Sequence, residues 1–185
     1  MEPIHDSIAD ALFQSPSLEA FAILDAASMP ELLSHLDSLK PEHECLFRGE
    51  LKPGMEEVAP YLVRLDGETR FFRWLLEDGW GNHSGIFALA DATLLQMRLH
   101  FRRHLRVYTE AGEPKLFRFY DPRVLRVFAP TLLPPDDAGF FGPVTRYLCE
   151  GKDGSALESF RLRGGAVVHE RLALEPGAEW KAVTK

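Results

Sequence analysis

Up to about residue 132 the chain alternates short, continuous apolar runs with amphipathic stretches, a pattern that few architectures satisfy. Phe21-Ala22-Ile23-Leu24, closed by Asp25, has the character of a buried strand. Cys45-Leu46-Phe47, Tyr61-Leu62-Val63 and Gly85 to Leu89 read the same way. Helical stretches lie between them. Ser28 to Glu31 has the form of a capping box with Pro30 in the first turn, ahead of Leu32, Leu33, Leu36 and Leu39 on one face and a stop before Pro41. Phe71, Trp74 and Leu75 line a second helix stopped by Gly79. Strand alternating with helix predicts an α/β layer with a partly parallel sheet.

The span from Thr93 to Tyr108 is the clearest helix. At about 100° per residue, Leu94, Met97, Phe101, Leu105 and Tyr108 fall on one stripe, with Asp91 or Thr93 as cap. Leu116 to Tyr120 reads as a strand. Asp121-Pro122 then supplies an N-cap carboxylate and a preset first-turn proline for a helix bearing Val124, Leu125 and Phe128. After Pro134-Pro135 the character changes. A Phe140-Phe141 turn leads to three strand-like runs, Val144 to Cys149, Leu157 to Leu162 and Val167 to Leu174, separated by Gly-rich turns that suit an antiparallel meander. The expected fold class is therefore α/β, a mixed sheet flanked by helices with a C-terminal antiparallel β extension. One domain is expected over residues 1–185, with a body at about 20–144 and the extension at 145–185.

Composition narrows the function classes. Apolar residues make up 45% and charged residues 26%, a globular balance, and the net charge of -7 gives no reason to expect a nucleic acid as partner. Cys45 and Cys149 lie far apart, each in an apolar run, and read as reduced core thiols. The first residues carry acids where a signal peptide would carry lysines, and no segment approaches the roughly 20 apolar residues of a membrane span. A cytoplasmic protein is expected, with no membrane partner.

Few constellations carry chemistry. His100 and His104 have metal-ligand spacing on one helix face, but Phe101 stands where a metalloprotease needs glutamate, and no third ligand accompanies them. Partly buried histidines beside the apolar stripe are the plainer reading, and no metal is expected. Arg98, Arg102, Arg103 and Arg106 crowd the same helix, either as a solvated face or paired to carboxylates. In Phe117-Arg118-Phe119-Tyr120-Asp121-Pro122-Arg123, a strand would set Arg118 and Tyr120 on one face and leave Arg118 half-buried, in need of an acceptor. Phe140-Phe141-Gly142-Pro143 reads either as a core plug or as an exposed aromatic patch. No nucleophile motif, phosphate loop or reactive cysteine context appears, so an enzyme is not expected.

These runs taken together resemble a known family. Leu46-Phe47-Arg48-Gly49, Val58-Ala59-Pro60-Tyr61-Leu62-Val63, Trp80-Gly81, His100-Phe101-Arg102-Arg103-His104-Leu105, Leu116 through Leu125 and Phe140-Phe141-Gly142-Pro143 occur in the order found in the type VI secretion effector adaptor family, domain of unknown function 4123. The resemblance spans about Phe21 to Val144. It implies an adaptor or chaperone that binds a cognate effector toxin and loads it onto the VgrG spike protein, without catalysis and without a cofactor. Longer relatives add a C-terminal helical lobe, whereas Thr145 to Lys185 reads as strands here. The expected partner-binding surface lies around Arg102, Arg106, Asp121, Arg123, Phe140 and Phe141; the competing reading makes these residues purely structural. An immunity protein that inhibits a cognate toxin is the alternative function, and a metal-dependent hydrolase built on His100 and His104 the third.

Overall fold

A computed structural model of the chain describes residues 3–175 and 177–183; Pro176, Thr184 and Lys185 of the expected extension lie outside them. In chain order, helix α1 (Pro3–Phe13) precedes strand β1 (Glu19–Asp25), α2 (Leu32–Leu39), β2 (His43–Cys45), β3 (Pro60–Arg64) and α3 (Arg70–Trp74). Then come β4 (Gly85–Ala90), α4 (Leu94–His104), a hairpin of β5 (Arg106–Tyr108) and β6 (Pro114–Leu116), α5 (Pro122–Phe128) and α6 (Asp136–Phe141). The chain closes with β7 (Val144–Glu150), β8 (Ala156–Arg163), β9 (Ala166–Ala173) and β10 (Lys181–Ala182).

Eight strands form one sheet in the order β10-β9-β8-β7-β4-β1-β3-β2. Alternation along β1 divides the core between its two faces. Ala20, Ala22 and Leu24 face a layer of α1, α2 and α3, where Leu12, Leu32, Phe71 and Phe72 pack. Phe21 and Ile23 face the opposite layer, where Met97 and Phe101 of α4, Leu125 of α5 and Phe140 of α6 pack. Both faces are covered, which is why the central strands read as unbroken apolar runs rather than alternating ones. The body and the C-terminal meander share this sheet, because β7 pairs directly with β4.

The α/β class and the antiparallel extension are therefore observed, but the partly parallel pairing is not: every registered strand pair is antiparallel. β3 and β4 do run in the same direction across α3, yet β1 lies between them and pairs with both. Alternation of strand and helix sets the direction of successive strands, not which slot they occupy.

Five local expectations change as well. Of Cys45-Leu46-Phe47 only Cys45 lies in a strand, β2, which starts at His43. Ser28 does not cap α2; its hydroxyl donates to Asp25, and Ala26–Ser28 forms a 3-10 turn in which Asp25 is the capping side chain. The long helix ends at His104, not Tyr108: Leu105 is its C-cap and the last buried position, and Val107 and Tyr108 beyond it are exposed. Residues 117–120 are not a strand, since the pairing of β6 stops at Leu116 and Phe117 N–H donates to the Leu105 carbonyl at 2.9 Å. Phe140 and Phe141 close helix α6, and a π-helical turn (Leu75–Gly79) extends α3. Two cap assignments stand: Thr93 and Gln96 form a reciprocal capping box, and Asp121 accepts from Arg123 N–H ahead of Pro122.

Candidate functional site

A polar interior region lies at one end of the sheet, where β1, β4 and β7 meet the start of α5. Asp25, 2% exposed, accepts from Ala27 N–H at 3.1 Å and from Arg118 Nη2 at 2.9 Å. Arg118 thus finds the acceptor that its sequence context demands, 93 positions away. Tyr120 is fully buried beside it, and burial pushes its phenol above the ordinary range. Asp121 caps α5 and receives Arg123 through Nε at 3.0 Å and Nη2 at 2.7 Å. Burial alone would raise the Asp121 carboxyl, but the Arg123 guanidinium and backbone N–H outweigh it, so its pKa lies below the usual value. Along the same edge Glu150, 2% exposed, accepts from Gly81 N–H at 2.6 Å, from His83 N–H at 3.0 Å and from the His83 ring.

A second polar knot joins α4 to the strand edge. Arg102 donates from Nε to the Leu46 carbonyl at 3.1 Å and from Nη2 to the carbonyls of Cys45 and Phe47 at 2.9 and 2.7 Å. A guanidinium fork meets successive carbonyls where β2 gives way to a loop, satisfying groups that the sheet no longer pairs. Arg98 is bound to Glu44 at 3.1 Å. Arg106, four residues beyond Arg102, sits on the exposed β5 strand and takes no part in this knot.

The histidine pair belongs to the core. Both Tyr147 Oη and His100 Nε2 address the Phe140 carbonyl, at 2.9 and 3.0 Å, which fixes His100 as the tautomer with its proton on Nε2. Burial, with the neighbouring His104 adding to it, lowers the His100 pKa to about 4; burial and Arg103 lower that of His104. His104 packs edge-on against Phe119 and Phe140. Gly142 is required beside this pair: its φ is +48°, and a Cβ there would stand 2.6 Å from the His100 ring. Among the described residues no group of three or more His, Cys, Asp or Glu side chains is placed to hold a metal ion, and no helix is long and apolar enough to cross a membrane.

Of the expected partner-binding residues, Asp121 and Arg123 meet each other, Arg102 is spent on backbone carbonyls, and Arg106 forms no hydrogen bond or ion pair among the described residues. Phe140 and Phe141 are 3% and 2% exposed, so the reading of them as a surface patch gives way to the core-plug reading. Phe140 is ringed by His104, Phe119, Phe128 and Tyr147. Asp25, His83 and Glu150 were missed. The available signal was an acid closing a buried apolar run, present both at Asp25 after Leu24 and at Glu150 after Cys149. The cysteines are unpaired, and burial raises both thiols.

These features define a three-layer scaffold in which Asp25, Asp121 and Glu150 and the guanidinium of Arg102 are held by the chain's own side chains and backbone. The chain belongs to the domain of unknown function 4123 family, whose model matches residues 20–138, well over half of its length. Neither the curated proteins nor the solved structures provided a match. The matched span covers both polar knots up to Arg123 and stops before β7, so Glu150 and the C-terminal meander lie beyond it.

Proposed function

We propose that this protein is an adaptor of the type VI secretion kind suggested by its motifs: it binds a cognate effector toxin and presents it to a VgrG spike protein. One observation carries the reading. The motif residues that look most chemical are engaged in holding the chain's own loops: Arg102 grips three carbonyls, Arg118 and Arg123 grip buried carboxylates, and His100 is a neutral core donor. Trp80 of the Trp80-Gly81 motif likewise donates to the Gly154 carbonyl at 2.8 Å and clamps the β7–β8 turn. Motifs used in this way build a rigid body for recognition, and a rigid body is what a docking protein presents to partners.

Co-purification of the tagged protein from its native host, with bound chains identified by mass spectrometry, tests the proposal. A spike protein recovered together with a toxin-like chain is the expected outcome. A toxin held alone and inactive overturns it in favour of an immunity protein, and recovery of neither chain overturns both.

A further inference from the structure

The outward side of α4 and the β5–β6 hairpin share a character found in neither polar knot. Met97 is fully buried, and Leu95 and Leu99 lie on the opposite side of the helix at 57% and 51% exposure, one turn apart. They are not boundary residues of the apolar stripe. The hairpin follows directly. All six of its strand residues are exposed, and its two strands pair only with each other. The register Arg106↔Leu116 and Tyr108↔Pro114 places Arg106, Tyr108 and Leu116 on one face, with Tyr108 at 65% and Leu116 at 50% exposure. An isolated two-stranded ribbon is marginal in water and gains stability by covering a face.

Charge selects the occupant. Among the described residues Arg103 and Arg106 form no hydrogen bond or ion pair, whereas Arg98, Arg102, Arg118 and Arg123 are each engaged. The hairpin loop carries two acids: Glu113 is occupied with Lys115 at 3.3 Å, and Glu110, at the tip and away from Arg103, forms no hydrogen bond or ion pair among the described residues. Two free guanidinium groups flanked by exposed leucine and tyrosine, on a chain of net charge -7, complement carboxylates set beside an apolar ridge. We propose that Leu95, Leu99, Arg103, Arg106, Tyr108 and Leu116 form a docking surface for an acidic amphipathic helix of a partner protein. This rests on the adaptor reading and assigns the partner's chemistry at one end of the surface expected from the sequence, while excluding Arg102.

The test titrates the isotopically labelled full chain, followed by backbone-amide NMR, with two synthetic helical peptides. Both carry leucines at i, i+4 spacing; one bears glutamates along the flanks and the other bears lysines. Saturable shifts confined to residues 94–116 with the acidic peptide, weakening with added salt, are expected. The Arg103→Glu/Arg106→Glu chain should bind it roughly tenfold more weakly, while Arg163→Glu, on the far hairpin, should leave binding unchanged. Equal binding of both peptides, shifts mapping elsewhere, or an unchanged affinity in the double variant overturns the surface. If the double variant still co-purifies with spike and effector, this surface is refuted and the adaptor reading stands; loss of both chains by the unaltered protein sinks the adaptor reading instead.

Discussion

Arg102 and Arg106 sit one helical turn apart on a wheel, and Phe140 and Tyr108 are both aromatic residues in motif-rich stretches, yet each pair is divided between two physical regimes. On the side facing the sheet, cations end on carbonyls or buried carboxylates, and rings meet other rings. On the outward side of α4 and the hairpin, comparable residues end in water. The division follows from what backbone lies within reach: Arg102 overlooks the strand edge where β2 stops pairing, while Arg106 has left the helix altogether. The type of side chain did not decide its role; the unsatisfied groups nearby did.

The division is easiest to break at Phe140. Its replacement by alanine should cost about 4 kcal/mol, the range for emptying a buried aromatic site, whereas Tyr108→Ala should change stability by no more than about 0.5 kcal/mol. Chemical denaturation of both variants measures the contrast. Similar losses for the two would mean that the hairpin is packed against something in solution.

The arginines give the next largest difference. Arg102→Ala leaves the carbonyls of Cys45, Leu46 and Phe47 without their donor and should cost about 2–3 kcal/mol, with water recovering part of the loss. Arg106→Ala should be silent within about 0.5 kcal/mol. For this reason Arg102 is a poor probe of partner binding: its replacement disturbs the fold first.

Acid tests the buried side through His100. Its ordinary pKa is 6.5 and burial holds it at about 4 in the folded chain, so the unfolded chain takes up the proton first. Stability therefore falls as pH drops from 6.5 toward 4. Between pH 7 and pH 5 the native chain should lose roughly 2 kcal/mol more than His100→Gln, whose amide can still donate to the Phe140 carbonyl. Parallel pH dependences for the two proteins would show that His100 is not buried neutral.

How far these regimes were legible in the sequence follows from the range of the forces involved. Central strands announced themselves because burial on both faces writes a continuous apolar run, and the Asp121 and Thr93 caps because capping is local. Direction and slot within the sheet were hidden, since the insertion of β1 between β3 and β4 is a long-range choice. The acceptor for Arg118 was demanded by its surroundings but not identifiable, because Asp25 lies far away in the chain. Phe140 and Tyr108 were misjudged in opposite senses for one reason: wheel and turn patterns describe an element, not where the neighbouring element ends.

The smallest expected effect on stability sharpens the comparison most. Leu99→Ser and Tyr108→Ser each remove apolar surface that already faces water, so thermal and chemical unfolding should shift by no more than about 0.5 kcal/mol in either direction. Binding of the acidic helical peptide should nevertheless weaken in both, because apolar side chains contribute to association only where they become covered. A residue that matters for binding and not for folding marks a surface kept for something outside the chain. If both variants fold and bind as the native chain does, the exposed leucine and tyrosine are ordinary surface apolar residues, and Arg103 and Arg106 are solvated cations like Arg70 and Arg163 elsewhere on the surface.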